Sequence, residues 1–199
     1  MISTPPPPPP PVVPRGRLSE QEQPVLGLRS GLVLRPWAPA DAGVLVAAGQ
    51  DPSIRQWNML AVDGPDDAHR RIARMRERWQ DESGAIWAIA RPEGGEAVGL
   101  IGWRQISLVE GNAELLYWLL PSARGAGVVV EAVRRLSEWG LEELGLHRMS
   151  LCHSVANPAS CRVAEKAGYL LEGTMRSAVL HADGWHDLHL HAFVQGDPR

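Results

Sequence analysis

Residues 113–131 read AELLYWLLPSARGAGVVVE. An apolar run ends at Pro121, a tight Arg124-Gly125-Ala126-Gly127 loop follows, and an amphipathic helix begins. A loop of this kind presents unpaired backbone N–H groups to an anion at a helix N-terminus. The helix dipole adds roughly half a positive charge there, and glycine at 125 and 127 lets the backbone approach phosphate oxygens closely. A Walker A loop needs Gly-Lys-Ser/Thr at its end, but the chain continues Gly127-Val128-Val129. A dinucleotide fingerprint needs a third glycine inside a βαβ unit, and Val130 holds that position. Two readings remain: a pyrophosphate cradle made by the amides of residues 124–128, or a plain strand-to-helix turn.

Working outward, residues 32–35 read as a first strand. Pro39 opens a helix to about Ala48, Asp51-Pro52 a short one through Trp57, and Pro65 a longer one. In the last, Ala68, Ile72, Met75 and Trp79 recur at helical spacing and predict one buried stripe. Residues 85–90, 97–106 and 113–120 read as strands, the first two joined by a Glu93-Gly94-Gly95 turn. Past the loop, Val129, Val133, Leu136 and Leu144 share a helix face ending near Gly145. Residues 148–153 form another strand. Residues 157–167 form a helix stopped by Gly168, and 169–180 with 185–194 form a final hairpin. The order β-α-α-α-β-β-β-α-β-α-β-β predicts an α+β protein with a mixed sheet of about six to seven strands, not a regular βαβ alternation.

The chain has 199 residues and a formal net charge of -3. That length suits one domain, expected over 31–195, and that charge gives no case for a nucleic-acid partner. Residues 5–11 are seven consecutive prolines, expected in polyproline II. They make residues 1–30 read as a disordered tail or a ligand for a proline-recognition module. Residues 196–199 read as a short C-terminal tail. Two cysteines without a metal or disulfide spacing, no apolar run long enough to span a membrane and no secretory h-region point to a cytoplasmic protein without a membrane partner.

The motifs together resemble those of the GNAT superfamily of acyl-CoA N-acyltransferases, in its ribosomal-protein alanine N-acetyltransferase-like branch. They are Leu34-Arg35-Pro36 with Asp41; residues 98–102, VGLIG; Glu114 with Tyr117-Trp118-Leu119; Arg124-Gly125-Ala126-Gly127 with Glu131-Ala132; Leu146-His147-Arg148; and residues 157–169, NPASCRVAEKAGY, followed by Glu172-Gly173. The resemblance covers about residues 32–193. It implies a central splayed sheet flanked by helices, with acetyl-CoA or another acyl-CoA as co-substrate. The pantetheine arm would lie along Trp118, Leu119 and Leu120. The pyrophosphate would rest on Arg124, Gly125, Ala126, Gly127 and Val128. Asn157 would contact the arm, with Ser160 beside the thiol end. The family uses no metal, and its exposed strand edges often pair, which allows a homodimer.

Acyl transfer to an amine needs a neutral nucleophile. Deprotonating a lysine at pH 7 costs about 4.6 kcal/mol and an α-amine only about 1.4 kcal/mol, so a site with one modest base suits a protein N-terminal α-amine or another low-pKa amine. Glu114 is the candidate base: an apolar setting with Leu116 and Trp118 would raise its pKa and let it act through water. Equally, it could be a strand-start residue bonding to a neighbouring strand. The acid Tyr and base Glu of the related alanine acetyltransferases match Ala164 and Cys152 here, which leaves Ser160 to protonate the thiolate or simply to stabilise its helix turn. Acceptor contacts are expected from Trp57 and Trp103. Asp187, His189 and His191 share a strand face, but without an open-site motif no metal is expected. His181 and His186 flank the hairpin turn within reach of an acceptor. Two functions stay open: an active N-acetyltransferase working by direct attack in a ternary complex, or a non-catalytic acyl-CoA-binding or interaction module.

Overall fold

In the computed structural model, which describes residues 9–198, the elements follow the predicted order. They are β1 (Leu26–Gly27), β2 (Val33–Pro36), α1 (Ala42–Gln50), α2 (Pro52–Asn58), α3 (Pro65–Gln80), β3 (Ala85–Ala90), β4 (Ala97–Ser107), β5 (Asn112–Leu119), α4 (Val128–Glu138), β6 (Arg148–Ser154), α5 (Pro158–Ala167), β7 (Leu170–His181) and β8 (Gly184–Val194). One mixed sheet runs β1-β2-β3-β4-β5-β6-β8-β7. Its neighbours are antiparallel except β5 and β6, which are parallel. The sheet has eight strands rather than six or seven because β1, two residues long, precedes the first predicted strand.

Helices cover both faces. Trp37, Leu45, Ile54 and Ile72 close one face against Ile86, Leu100 and Trp118, while Val133, Leu136 and Ala164 close the other against Leu115, Leu119 and Leu151. Strand β3 is therefore buried along its whole length, and its sequence AIWAIA shows no polar alternation. Helix α5 is bounded as its sequence dictates. The Asn157 side chain accepts the Ser160 N–H, Pro158 takes the first turn, and Gly168 at φ 91° ends the helix.

The expectation of a tail over residues 12–30 is corrected. Val13, Leu18, Leu26 and Leu28 are buried. The Trp79 and Trp87 indole N–H groups donate to Gln21 and Pro24 carbonyls, at 3.0 and 2.8 Å. Glu82 accepts from the amides of Gly16, Leu18 and Ser19. Apolar burial and satisfaction of two core indoles outweigh the polar composition that made this stretch read as tail. Prolines 5–8 lie outside the described residues. At the other end, Asp197 and Val194 exchange hydrogen bonds that close a turn on β8.

Arg35 and Asp41 tie β2 to the start of α1. The guanidinium donates to both carboxylate oxygens, at 2.7 and 2.9 Å, and to the Gly95 carbonyl, at 2.8 Å. Burial alone would raise the Asp41 pKa, but bonds from Arg35 and the Ala38 amide hold it below the ordinary carboxylate value. A depressed folded-state pKa stabilises fully above the unfolded value, and that contribution is lost as pH falls through the folded value. Asp41→Asn should therefore cost about 3 kcal/mol at neutral pH, since it leaves Arg35 buried without its counter-charge. Urea unfolding checks this, and the deficit should shrink in the acid range. An equal deficit at all pH values would assign the loss to packing instead.

Candidate active site

The sheet opens where β5 leaves β6. The two strands pair from Asn112↔Arg148 to Leu115↔Leu151. Beyond that register β5 runs on to Leu119 and β6 to Ser154 without pairing. A cavity of about 510 Å³ fills the wedge, reaching from Trp57 and Asn58 of α2, past Leu116, Tyr117 and Cys152, to Gly127, Val128 and α5. It thus passes through the sheet from one helix layer to the other.

At one mouth lies the glycine loop. Gly125 and Gly127 hold φ of 89° and 76°, a region costly for other residues. Among the described residues the amides of 125–130 donate to nothing; the first amide of the turn to find a backbone acceptor is that of Glu131, bonded to Gly127. Arg162 and Lys166 of α5 line the same mouth. Free amides, a helix N-terminus and two cations are groups that favour an anion. The expected cradle shifts slightly: the Arg124 amide is already bonded to the Pro121 carbonyl, at 3.2 Å. The Arg124 side chain is also held, by the Leu119 carbonyl at 3.0 Å and Asp51 at 3.1 Å. Leu120 is displaced too. Its N–H continues the ladder to Val98 at 2.9 Å, and it does not line the cavity. Trp118 and Leu119 do line it, and Ala126 does not.

Midway, Asn157 and Ser160 face the wedge. Asn157 Oδ1 is used in capping α5, which leaves its NH₂ for a ligand. The Tyr117 hydroxyl is buried without a hydrogen bond of good geometry among the described residues. Burial pushes its pKa up to about 12, with Ser160 close enough to pull it partly back. Tyr117 therefore stays protonated at neutral pH. The Cys152 thiol, also on the wedge, is pushed up to about 11, first by burial and then by the charge of Glu114.

Toward the other end, Glu114 sits on β5 where that strand still pairs with β6, opposite Ser150; it does not line the cavity itself but stands 3.8 Å from Arg104, which does. The setting is thus charged on one side, not only apolar. Arg104 lies at a register shift between Trp103 and Gln105 that sends it to the cavity; a bulge of this kind re-aims a side chain. Trp57 lines the cavity and meets His181 and His186 edge-on at 5.6 and 6.1 Å. Ser154 Oγ lies 2.7 Å from His186 Nδ1, and His186 Nε2 lies 3.1 Å from Asp183. Trp103, expected beside Trp57, is instead fully buried, stacked on Trp139 at 5.5 Å and 19° and edge-on to Trp87. Tyr117, Arg104 and Ser154 were missed as site residues. Only the resemblance motif touching Tyr117 gave a signal for any of them.

Residues 31–170 match a family model described as an acetyltransferase (GNAT) domain. YdaF of Bacillus subtilis (strain 168) is 35% identical over 92 residues, which is 46% of this chain and 50% of that protein. The ribosomal-protein-serine acetyltransferase of Escherichia coli (strain K12) is 32% identical over 99 residues, 50% of this chain and 55% of its own. The matched region thus spans about half the length of these two relatives. RimL, the ribosomal L7/L12 alpha-N-protein acetyltransferase solved with coenzyme A, superposes with a TM-score of 0.77 over 86% of this chain and 98% of its own, at 19% identity. At that identity the likeness concerns the fold. No helix among the described residues is long and apolar enough to cross a membrane.

Proposed function

The chain belongs to the GNAT acetyltransferase family, and from that premise we propose that it moves an acetyl group from acetyl-CoA to a primary amine. The observation that carries this is the wedge beyond Leu115 and Leu151, opening directly onto the free amides of residues 125–130. A wedge between parallel strands offers unpaired backbone to the amides of a pantetheine arm, and the free loop amides suit its pyrophosphate. In this reading Gly125, Gly127 and Val128 hold the pyrophosphate, Arg162 and Lys166 offset its charge, and Trp118, Leu119 and Asn157 flank the arm.

The acceptor enters from the Trp57 side, and its amine nitrogen attacks the thioester carbon in a ternary complex. The nitrogen–carbon bond forms, and the carbon–sulfur bond breaks with its electron pair on sulfur. Glu114 takes the amine proton through water, and Ser160 or the protonated Tyr117 supplies one to the thiolate. A second reading of the base rests on the Ser154–His186–Asp183 chain: His186, oriented by Asp183, would draw the proton through the Ser154 hydroxyl. A protein N-terminal α-amine is the proposed acceptor class, as the name of the RimL structure, an alpha-N-protein acetyltransferase, suggests and as the lower cost of neutralising an α-amine favours.

The test is thiol release from acetyl-CoA with a serine- or alanine-started peptide, beside the same peptide N-blocked but carrying lysine. The free α-amine should react at least tenfold faster. Glu114→Gln should slow it at least about tenfold with acetyl-CoA binding unchanged, and Ser154→Ala should leave most of the rate. The reverse pattern in the two variants would move the base to His186. Binding without turnover over a broad amine panel would leave an acyl-CoA-binding module instead.

A further inference from the structure

Beneath the first turn of α5, on the face away from Glu114, four side chains converge that the acetyl-transfer proposal does not use. His153 of β6, His189 and His191 of β8 and Cys161 of α5 bring one ligand atom each to within 4.8 Å of one another. His153 and His191 are buried. We propose that these four residues bind a zinc ion that staples α5 to β6 and β8.

The hydrogen bonds decide the tautomers. His153 Nδ1 lies 2.8 Å from the Ser154 carbonyl, and His191 Nδ1 lies 3.4 Å from the Tyr169 carbonyl. A carbonyl accepts only, so each Nδ1 carries the proton and each Nε2 presents a lone pair. Yet the two Nε2 atoms face one another at 3.3 Å. Two acceptors aimed at each other in a buried place repel, and nothing protein-borne lies between them. Two nitrogens on one tetrahedral zinc, each about 2.0–2.1 Å from it, stand about 3.3–3.4 Å apart. The observed separation matches that of two imidazole nitrogens on one zinc, and each ring already has the carbonyl partner that metal-bound imidazoles characteristically have.

The other two donors lie within 4.8 Å of that pair. His189 Nδ1 is buried and without a partner among the described residues, and its ring meets that of His153 edge-on at 5.4 Å. Among the described residues, Cys161 Sγ has as its one hydrogen-bond contact the Glu165 carboxylate, at 3.6 Å. On binding, the thiol proton leaves to solvent and the thiolate becomes the fourth ligand. Three nitrogens and one sulfur in a closed set suit a structural zinc, with no open position for catalysis. Cys161 follows Ser160, so the staple would fix the turn that presents Asn157 and Ser160 to the wedge. A proton shared by the two imidazoles is the competing occupant.

The test uses full-length protein without a histidine tag. Purified from zinc-supplemented medium, it should carry about one zinc per chain by mass spectrometry and melt several degrees lower after chelation. Cobalt added to the metal-free protein should give the visible bands of a tetrahedral site with thiolate-to-cobalt charge transfer. Cys161→Ser should lose the charge-transfer band, and His189→Gln should retain less than about a tenth of the zinc. Wild-type protein with no retained zinc and no cobalt spectrum would overturn the site and favour the shared proton. So would full zinc content in both variants. The wild-type spectrum decides alone where a variant does not fold.

Discussion

Gly127→Val is expected to weaken acetyl-CoA binding by roughly a hundredfold while leaving the protein folded. Gly127 caps α4 at φ 76° and ψ 5°, a left-handed conformation that a β-branched residue adopts only with strain. An added Cβ meets nothing within 4 Å, so the penalty is conformational and not a clash. The chain would relieve it by rotating the peptides of the loop, which moves the free amides of 125–130 away from one focus. Charge-assisted bonds from such amides contribute about 1.5–3 kcal/mol each, so misaiming one or two of them accounts for the loss. Calorimetric titration measures it. A change below about threefold would place the pyrophosphate elsewhere.

Trp103→Ala is expected to cost about 4 kcal/mol of folding stability, a large share of the 5–15 kcal/mol typical of a domain. Its indole stacks on Trp139, meets Trp87 edge-on, and is fully buried. Truncation opens a cavity in a cluster that also includes Trp79, which stacks on Trp139 at 6.2 Å. The sequence-based expectation of an acceptor contact makes the opposite forecast, intact stability with a raised acceptor KM. Urea denaturation and acceptor KM on the residual folded protein separate the two. A raised acceptor KM with unchanged stability would restore the channel reading.

Those two residues mark where sequence reading succeeds and where it stops. The loop was legible because its glycines, its proline and its following apolar periodicity are local signals. The same holds for α5, bounded by Asn157, Pro158 and Gly168, and for the α3 stripe of Ala68, Ile72, Met75 and Trp79, of which Met75 is only half-buried and the other three are buried. Trp57 and Trp103 could not be told apart, since both are indoles beside apolar residues and only tertiary packing sends one to the wedge and the other to the core. Arg104 reaches the cavity through a register shift that no local pattern encodes. The N-terminal segment misled because Leu18 and Leu26 join the same buried cluster as Trp79 and Trp87, whose indoles bond to the Gln21 and Pro24 carbonyls some sixty residues away. Ser154 and His186, and likewise His153 and His191, are joined only by the pairing of β6 with β8.

The most direct test of the proposed cofactor site compares acetyl-CoA with S-acetylpantetheine in calorimetric titrations of the wild-type protein. The two ligands share the thioester and the arm, but only the first carries the pyrophosphate and nucleotide. The account predicts one acetyl-CoA per chain with a dissociation constant in the micromolar range, at least about a hundredfold tighter than S-acetylpantetheine. No binding of acetyl-CoA, or equal affinity for the two ligands, would contradict it.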